Sequence, residues 1–408
     1  MIRVWTDNER AGVLDRMEPR SSTFVYEAGV GAAREVSLTM PLRTSSWNTP
    51  YGLAPIFEMN LPEGALRDRL MRQFAKAAGT FDDLDLLAVV GRSQIGRMRY
   101  SGLKETLSED VPLQSVDEIL RARRASGLFD YLLNQFAQYS GVSGVQPKVL
   151  VRDPDKVSDG KARRSSSLRG ATHIVKFWDE REYPELAANE FFCLTVAKRL
   201  GLDVPAFELS EDGAALVIER FDLVDDAYLG FEDFCVLNGL RSADKYRGSY
   251  ETALFKRMKQ FVSATQVEAA SRNLFTLFVL NCALRNGDAH LKNFGVTYPA
   301  IDGEVRLAPV YDIITTPVYV SNDAMALTLN GRTTWPDATA LDALGQVRAA
   351  LAPREVGRIF EAVADAIADV TPAAQAYFRQ GQSTQIGESI VATWQTGVRE
   401  SLRLPAKS

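Results

Sequence analysis

Chemistry-bearing side chains concentrate in one stretch, RNGDAHLKNFGV at residues 285–296. It follows a long apolar pattern and carries Asn286, Asp288, His290, Lys292 and Asn293. So many polar groups directly behind a buried helix are costly unless each is paired or used. Taken alone, an Asn-Gly turn whose Asp and Asn satisfy backbone groups accounts for them. A second carboxylate, Asp312, follows the apolar run in LAPVYDIITT; alone it is an ordinary strand-terminal acid. Lys176 lies inside the β-branched run HIVKF, where a lysine by default faces solvent. SGVSGVQPK, residues 140–148, sets Gly141 and Gly144 before a strand pattern, a weak signal by itself.

Chain order makes these pieces one constellation. A small-residue loop enters a strand, and a strand lysine follows. Next come a helix bearing Glu190 and a strand ending Glu219-Arg220-Phe221-Asp222. Last are Asp288 with Asn293 just beyond it, and Asp312. That order is the layout of a kinase. A phosphoryl group in flight carries spread negative charge, so catalysis is positioning and electrostatics. Asp288 can accept the proton of a substrate hydroxyl. Asn293 and Asp312 offer the hard oxygen ligands that Mg²⁺ prefers. Lys176 can neutralise the α/β-phosphates of ATP. Backbone N–H groups of Gly144, Val145 and Gln146 can cradle phosphate, where glycine permits close approach. The backbone of Glu219–Phe221 can meet the adenine edge.

Elements must hold these groups. IRVW, TFVYEA and EVSLTM in the first forty residues read as short strands. Residues 62–77 and 81–91 carry helical periods; the second has acids in its first turn and Gly91 as a stop. IGRMRY reads as a returning strand, and the polar residues 101–116 as a candidate boundary. Strands are expected at 144–151, 170–177 and 214–222, with an amphipathic helix at 184–201 opened by Pro184. Residues 153–170, rich in Ser, Arg and Lys, read as an exposed loop. After Asp222, FEDFCVLNGL, YETALFKRMKQFV and VEAASRNLFTLFVLNCALRNG have helical periods. The expectation is a β-rich front, a central α/β segment and a helical back half, with function in the cleft between two lobes.

Composition narrows the function classes. The 408 residues are 46% hydrophobic and 24% charged, an ordinary globular balance. A net charge of -5 argues against a broad nucleic-acid grip by this chain alone. With only 2 His, a multi-histidine zinc site or a hydrolase with histidines to spare is nearly excluded by counting. The 3 Cys show no CxxC spacing, so a reducing compartment is expected. No apolar leader or membrane-length run is evident, and the expectation is a cytoplasmic chain without membrane contact.

At these residues the sequence resembles the HipA family of serine/threonine kinases, toxins of bacterial toxin–antitoxin pairs. FEMNLPEGALRDRL and DDLDLLAVVGRSQIGRMRY look like that family's N-terminal subdomain. SGVQPK, THIVKF, NEFFCLTVAKRLGL, ERFD, FEDFCVLNGL, NGDAHLKNFGV and APVYDI look like its kinase core, in the right order. The resemblance spans the whole chain. It implies an α+β, two-lobed, protein-kinase-like fold with a β-rich N-terminal subdomain and a mostly helical C-terminal lobe. The implied divisions are residues 1–108, an ATP-binding 109–222 and a catalytic 223–408. It implies Asp288 as proton acceptor and Asn293 and Asp312 at Mg²⁺. His290, Leu291, Lys292, Asn293 and Tyr311 would line the ATP. Ser143, Gly144, Val145, Gln146, Pro147 and Lys148 would form the phosphate-side loop, with Lys176 on the phosphates and Glu219, Arg220 and Phe221 at the adenine.

The sequence departs from the family at one position. Family members often autophosphorylate a serine at a set distance before the loop lysine, and here that position is Gly141. Ser143 and Ser140 flank it and are the candidates for the role. The resemblance further implies a HipB-like helix-turn-helix antitoxin, DNA contact only through that partner, and a protein substrate, an aminoacyl-tRNA synthetase being the fair expectation. Two other readings compete: a small-molecule kinase, which shares the Asp–Asn–Asp order, and a catalytically weak corepressor bound to a DNA-binding partner.

Overall fold

The structure, a computed structural model, describes residues 1–17, 20–78, 81–122, 127–144, 146–155, 170–178, 180–224, 227–380 and 384–404. The expected loop at 153–170 lies almost wholly outside these residues, as does Val145. The chain forms two compact units. One comprises Met1–Phe177, Ala206–Ser242 and Thr297–Val305; the other comprises Trp178–Pro205, Ala243–Val296 and Arg306–Ser408.

The first unit opens with β1 (Ile2–Thr6), β2 (Glu9–Arg16), β3 (Ser22–Tyr26) and β4 (Trp47–Thr49). With β5 (Met98–Gly102) they make one antiparallel sheet in the order β4-β3-β2-β1-β5. Side chains of alternate residues, Ile2, Val4 and Thr6, face the interior, as the pleat dictates. Helices α1 (Gly64–Ala78) and α2 (Asp83–Val90) follow the expected spans. Asp82 caps α2 in a capping box with Asp85, and Gly91 ends it. A third helix, α3 (Leu128–Phe136), leads toward a second sheet. That sheet is β6 (Lys148–Val151), β7 (His173–Phe177), β8 (Phe207–Leu209) and β9 (Ala215–Glu219), in the order β6-β7-β9-β8 with every pair antiparallel.

Two expectations change here. Residues 35–40, EVSLTM, form no strand, and the second strand is instead ERAGVLDR. The donors of that segment go to side chains: the Leu38 N–H and the Ser37 hydroxyl donate to Glu232, and the Val36 N–H donates to Tyr26 Oη. A backbone spent on side chains has nothing left for a ladder. FEDFCVLNGL likewise opens as a strand, Gly230–Asp233, and holds only one helical turn, Phe234–Leu237, capped by Asp233.

The second unit is helical. It contains α4 (Leu186–Arg199), which starts after Pro184, α5 (Val267–Leu284), α6 (Ala338–Val347), α7 (Pro353–Gln380) and α8 (Thr384–Ser401). YETALFKRMKQFV is helical but begins as a π-helix, Tyr250–Lys256. Helix α5 is buried on every side from Leu274 onward, with Leu274, Phe275, Phe278, Val279, Leu280 and Cys282 in the core. The apolar stripes of α7 and α8 close over it.

The charged motif Arg220–Asp222 is structural in its side chains. Both are fully buried. The guanidinium donates to Asp222 Oδ1 at 3.0 Å and Oδ2 at 2.6 Å, and to the Gln94 and Ala171 carbonyls. Asp222 Oδ2 also accepts the Gly96 N–H at 2.6 Å. The pair thus ties the N-terminal segment to the end of β9. Removing one partner strands a buried charge, whereas replacing both with apolar groups is far milder. Asp222→Ala is therefore expected to lower unfolding stability by about 3–5 kcal/mol in urea melts, and the double replacement Arg220→Met with Asp222→Leu by clearly less.

Candidate phosphoryl-transfer site

In the second unit the site begins where α5 stops. Arg285 takes a left-handed conformation, φ 57°, and ends the helix. Its guanidinium donates to Ser401 Oγ at 3.0 Å and Glu400 Oε2 at 2.7 Å, and stacks over Trp335. The turn beyond is held by amides. The Asn286 side chain donates to Asn281 Oδ1 at 2.7 Å, and its own Oδ1 accepts the Asp288 N–H at 3.2 Å. Thr316 Oγ1 accepts the Gly287 N–H at 2.7 Å. Tyr250 donates to the Ala289 carbonyl at 3.0 Å.

Asp312 enters from the other side of the site in a left-handed conformation, φ 54°. Asn293 joins the two carboxylate-bearing segments: its Nδ2 donates to the Asp288 carbonyl at 2.9 Å and to the Asp312 carbonyl at 3.4 Å. Both amide protons point at backbone, so Oδ1 remains as the acceptor. The segment after Asp312 is clamped in turn. Asn189 of α4 exchanges two hydrogen bonds with the Thr315 backbone, each 2.9 Å. Trp394 of α8 donates to Thr315 Oγ1 at 2.7 Å. Tyr311 donates to the Lys292 carbonyl at 3.0 Å.

Thus Asp288, His290, Leu291, Lys292, Asn293, Tyr311 and Asp312 do come together in one unit. Burial pushes the His290 imidazole down to about 4, against the pull of Asp288, so it is neutral at pH 7. Asp288 is half-buried, and its Oδ1 accepts a hydrogen bond from Tyr246 at 2.7 Å. Sequence reasoning does not reach Tyr246, Thr316, Asn189, Asn281 or Trp394. Asn189 alone leaves a signal, an amide on the apolar face of an amphipathic helix.

The remaining expected site residues gather in the first unit. The register of β6 and β7 pairs Lys148 directly with Lys176, and both side chains are buried. Directly paired residues share a face, so two ammonium groups lie on one side of the sheet. Gly144 has φ +123°, a backbone conformation that favours glycine, and the loop there lies against the end of the Lys148 side chain. Gln146 and Pro147 are half-buried, and the Pro147 carbonyl accepts the Phe177 N–H at 2.9 Å.

The two serine candidates differ sharply. Ser140 is fully buried, donates to the Phe136 carbonyl at 2.6 Å and accepts the Leu150 N–H at 2.9 Å. Ser143 is half-buried and donates to Glu63 Oε1 at 2.5 Å. Gly141 lies against Gln94 and Ser93, where a Cβ would sit 2.5 Å from Gln94 Cβ and 2.7 Å from the Ser93 carbonyl. A serine has no room at that position. At the end of β9, the N–H groups of Glu219 and Arg220 already donate to Ala206 and Thr172. The Arg220 side chain is spent on Asp222, and Phe221 packs edge-on to Phe231.

Among the described residues, no group of three or more His, Cys, Asp and Glu side chains could hold a metal, and no helix is long and apolar enough to cross a membrane. The three cysteines are free and buried.

This α+β architecture is kinase-like. Its residues 2–101 match the family model of the HipA N-terminal domain, and residues 140–371 match that of the HipA-like C-terminal domain. The chain belongs to the HipA family. It is 27% identical over 398 residues to the protein named "Putative kinase Y4mE" of Sinorhizobium fredii, covering 91% of each chain. It is 28% identical over 198 residues to the serine/threonine-protein kinase toxin HipA of Shewanella oneidensis, covering 44% of this chain and 43% of that one. Among solved structures, a Shewanella oneidensis chain from a complex of HipA, HipB and operator DNA matches with a TM-score of 0.70 and 18% identity, over 99% of this chain and 98% of that one.

The neutral His290 has a measurable consequence. Its folded-state pKa lies below the usual 6.5, so the unfolded chain binds more protons between the two values. Stability from this group is complete above about pH 6.5 and is lost as pH falls toward 4, by roughly 3 kcal/mol in all. Glu232, buried and raised to about 7, acts in the opposite sense over part of that range. The decisive quantity is therefore a difference. Wild type minus His290→Phe, compared in urea melts from pH 4 to 7, should slope upward with pH until about 6.5 and then flatten.

Proposed function

We propose that this chain is a protein serine/threonine kinase of the HipA toxin kind, moving the γ-phosphoryl group of ATP to a serine hydroxyl. The observation that supports the reading is the Asn293 amide, which bonds the backbone carbonyls of Asp288 and Asp312 and so joins the segments of the proposed proton acceptor and the second carboxylate. Asp288 accepts the substrate proton as its oxygen attacks phosphorus. Asn293 Oδ1 and the Asp312 carboxylate are the hard donors for Mg²⁺. An amide oxygen and one carboxylate suit an ion that keeps several waters and takes the rest from phosphate. Bound there, Mg²⁺ would neutralise charge on the phosphate oxygens.

Lys148 and Lys176 supply a paired positive charge for the polyphosphate. The Ser143–Lys148 loop is the phosphate-side loop of this reading, in which the sequence offers the N–H groups of Gly144, Val145 and Gln146 to phosphate. Adenine meets the backbone of Glu219–Phe221, and His290–Asn293 with Tyr311 line the nucleotide. In this reading residues 1–108 are the N-terminal subdomain, 109–222 bind ATP and 223–408 carry the catalysis. The partner is a HipB-like antitoxin; the support for it is that the Shewanella oneidensis chain of like fold was solved in complex with HipB and operator DNA. With a net charge of -5, the chain leaves DNA reading to that partner. The substrate is a cytoplasmic protein, and the resemblance favours an aminoacyl-tRNA synthetase.

Labelled phosphate from Mg·ATP should enter protein with wild type and fall about 10²-fold or more with Asp288→Asn, since that is the usual worth of a general base. Equal labelling by both would remove Asp288 from the role. Transfer to sugars or lipids, with none to protein, would favour a small-molecule kinase.

Self-modification, if the loop undergoes it, is better suited to the half-buried Ser143 than to Ser140, which is fully buried with its hydroxyl bonded to the Phe136 carbonyl and the Leu150 N–H. Phosphopeptide mapping should find phosphate on the loop in wild type and none in Ser143→Ala. Phosphate persisting on Ser140 would contradict this.

A further inference from the structure

Asp288 has a single side-chain partner among the described residues, the hydroxyl of Tyr246, which donates to Oδ1 at 2.7 Å. A substrate hydroxyl awaiting proton transfer must sit 2.6–3.2 Å from its base. Tyr246 Oη is at that distance from the proposed base, and Tyr246 is itself 50% exposed.

The tyrosine is held there. Its ring meets His290 edge-on, with centroids 5.0 Å apart and planes at 77°. Its neighbour Lys245 accepts the Leu291 N–H on its carbonyl at 3.1 Å, so the backbone beside it is anchored to the same segment as the base. The adjoining turn is closed by the Arg247 N–H donating to the Asp244 carbonyl at 2.8 Å. The ring is half open to solvent, with Lys245 Nζ 5.5 Å from its centroid, and the anchored backbone keeps the tyrosine beside the base.

We propose that Tyr246 occupies the acceptor position: its hydroxyl stands in for the substrate serine on Asp288 and keeps water off the base until a protein substrate displaces it. This rests on the kinase reading above. A kinase whose base is left open transfers to water. Asp288 then takes a proton from the attacking water, the new O–P bond forms, the bridging bond to the β-phosphate breaks, and ADP and inorganic phosphate leave. A phenol on the base closes that route, and a serine presented by a well-fitting protein opens the productive one. Tyr246 is thus a specificity-determining residue.

The test uses the full chain with Mg·ATP and no protein acceptor. ADP release is compared among wild type, Tyr246→Phe and Asp288→Asn. Phenylalanine keeps the contact with His290 and removes only the hydroxyl. ADP release should rise roughly fivefold in Tyr246→Phe, the factor that an exposed hydrogen bond of ordinary strength is worth. Release should vanish in Asp288→Asn. A release unchanged or slowed in Tyr246→Phe overturns the proposal, because a tyrosine that merely orients the base would give that result. Phosphate found on Tyr246 of the wild type overturns it too, since the tyrosine would then be an acceptor and not a plug.

A second readout does not depend on turnover. A water-soluble carbodiimide with glycinamide modifies accessible carboxylates, and peptide mass spectrometry reads the yield at Asp288. That yield should rise several-fold in Tyr246→Phe. If no variant releases ADP and wild type also fails to label protein from Mg·ATP, the kinase reading fails. The carbodiimide ratio then still decides whether Tyr246 shields Asp288: an unchanged yield sinks the proposal.

Discussion

One amide ties together the two segments that carry Asp288 and Asp312. Asn293 gives one proton to the Asp288 carbonyl and the other to that of Asp312. These segments reach the site from different directions, one off the end of α5 and one out of the stretch that follows Gly295–Tyr298. Neither is in regular structure at the point of contact, and Arg285 and Asp312 are both left-handed. Such backbone costs free energy and persists only where its surroundings over-determine it. Here they do: Thr316 bonds Gly287, Asn189 bonds Thr315, and Trp394 of the last helix bonds Thr315 again. The strained turn is therefore a consequence of side-chain amides and hydroxyls, and the helices exist, at this end, to aim them.

The first unit solves a different problem, how to keep two lysines side by side in a buried sheet. Like charges directly opposite one another in a ladder are unfavourable. The register of β6 with β7 nevertheless pairs Lys148 with Lys176. Gly144, at φ +123°, then lets the preceding loop fold against the end of the Lys148 side chain. Two lysines on one face of the sheet, with a glycine loop folded against one of them, suit a polyanion, and a nucleotide polyphosphate is the polyanion that the proposed function supplies. The base of the same loop is immobile for a separate reason. Ser140 spends both its donor and an acceptor on the Phe136 carbonyl and the Leu150 N–H, and Gly141 is pressed against Ser93 and Gln94. Only beyond Val142 does the loop regain accessible atoms.

Much of this is legible in the sequence because periodicity and punctuation reflect local physics. The capped helix at Asp83–Val90, the strands around Lys148 and Lys176, and the long apolar α5 follow from spacing and from Gly, Pro and Asp signals. The clustering of Asn286, Asp288 and Asn293 is visible for the same reason: polar side chains behind an apolar helix demand partners. What cannot be read are partners supplied from afar. EVSLTM has a strand's alternation, yet Glu232 takes its donors, and Glu232 lies far along the chain. Ser140 and Ser143 look alike as text; a carbonyl of α3 and a carboxylate at Glu63 separate them. Tyr246 carries no pattern at all, because its place is set by contacts with residues some forty positions further along the chain.

The buried polar groups divide by the kind of order they impose. Arg220 and Asp222 are charged, fully paired and sealed, and they lock a fold at a cost in desolvation that apolar packing would avoid. Asn189, Asn281, Asn286 and Asn293 are neutral, and each holds a backbone or another amide in one orientation. In the proposed function Asp288 is a base, and an amide positions the backbone beside it without adding charge that would shift its acid–base balance. The neutral His290 obeys the same rule: burial removes its proton, so the imidazole lines the site without adding charge to it. In the proposed function, positive charge for the phosphates comes instead from the strand lysines Lys148 and Lys176, whose register in the sheet keeps them together.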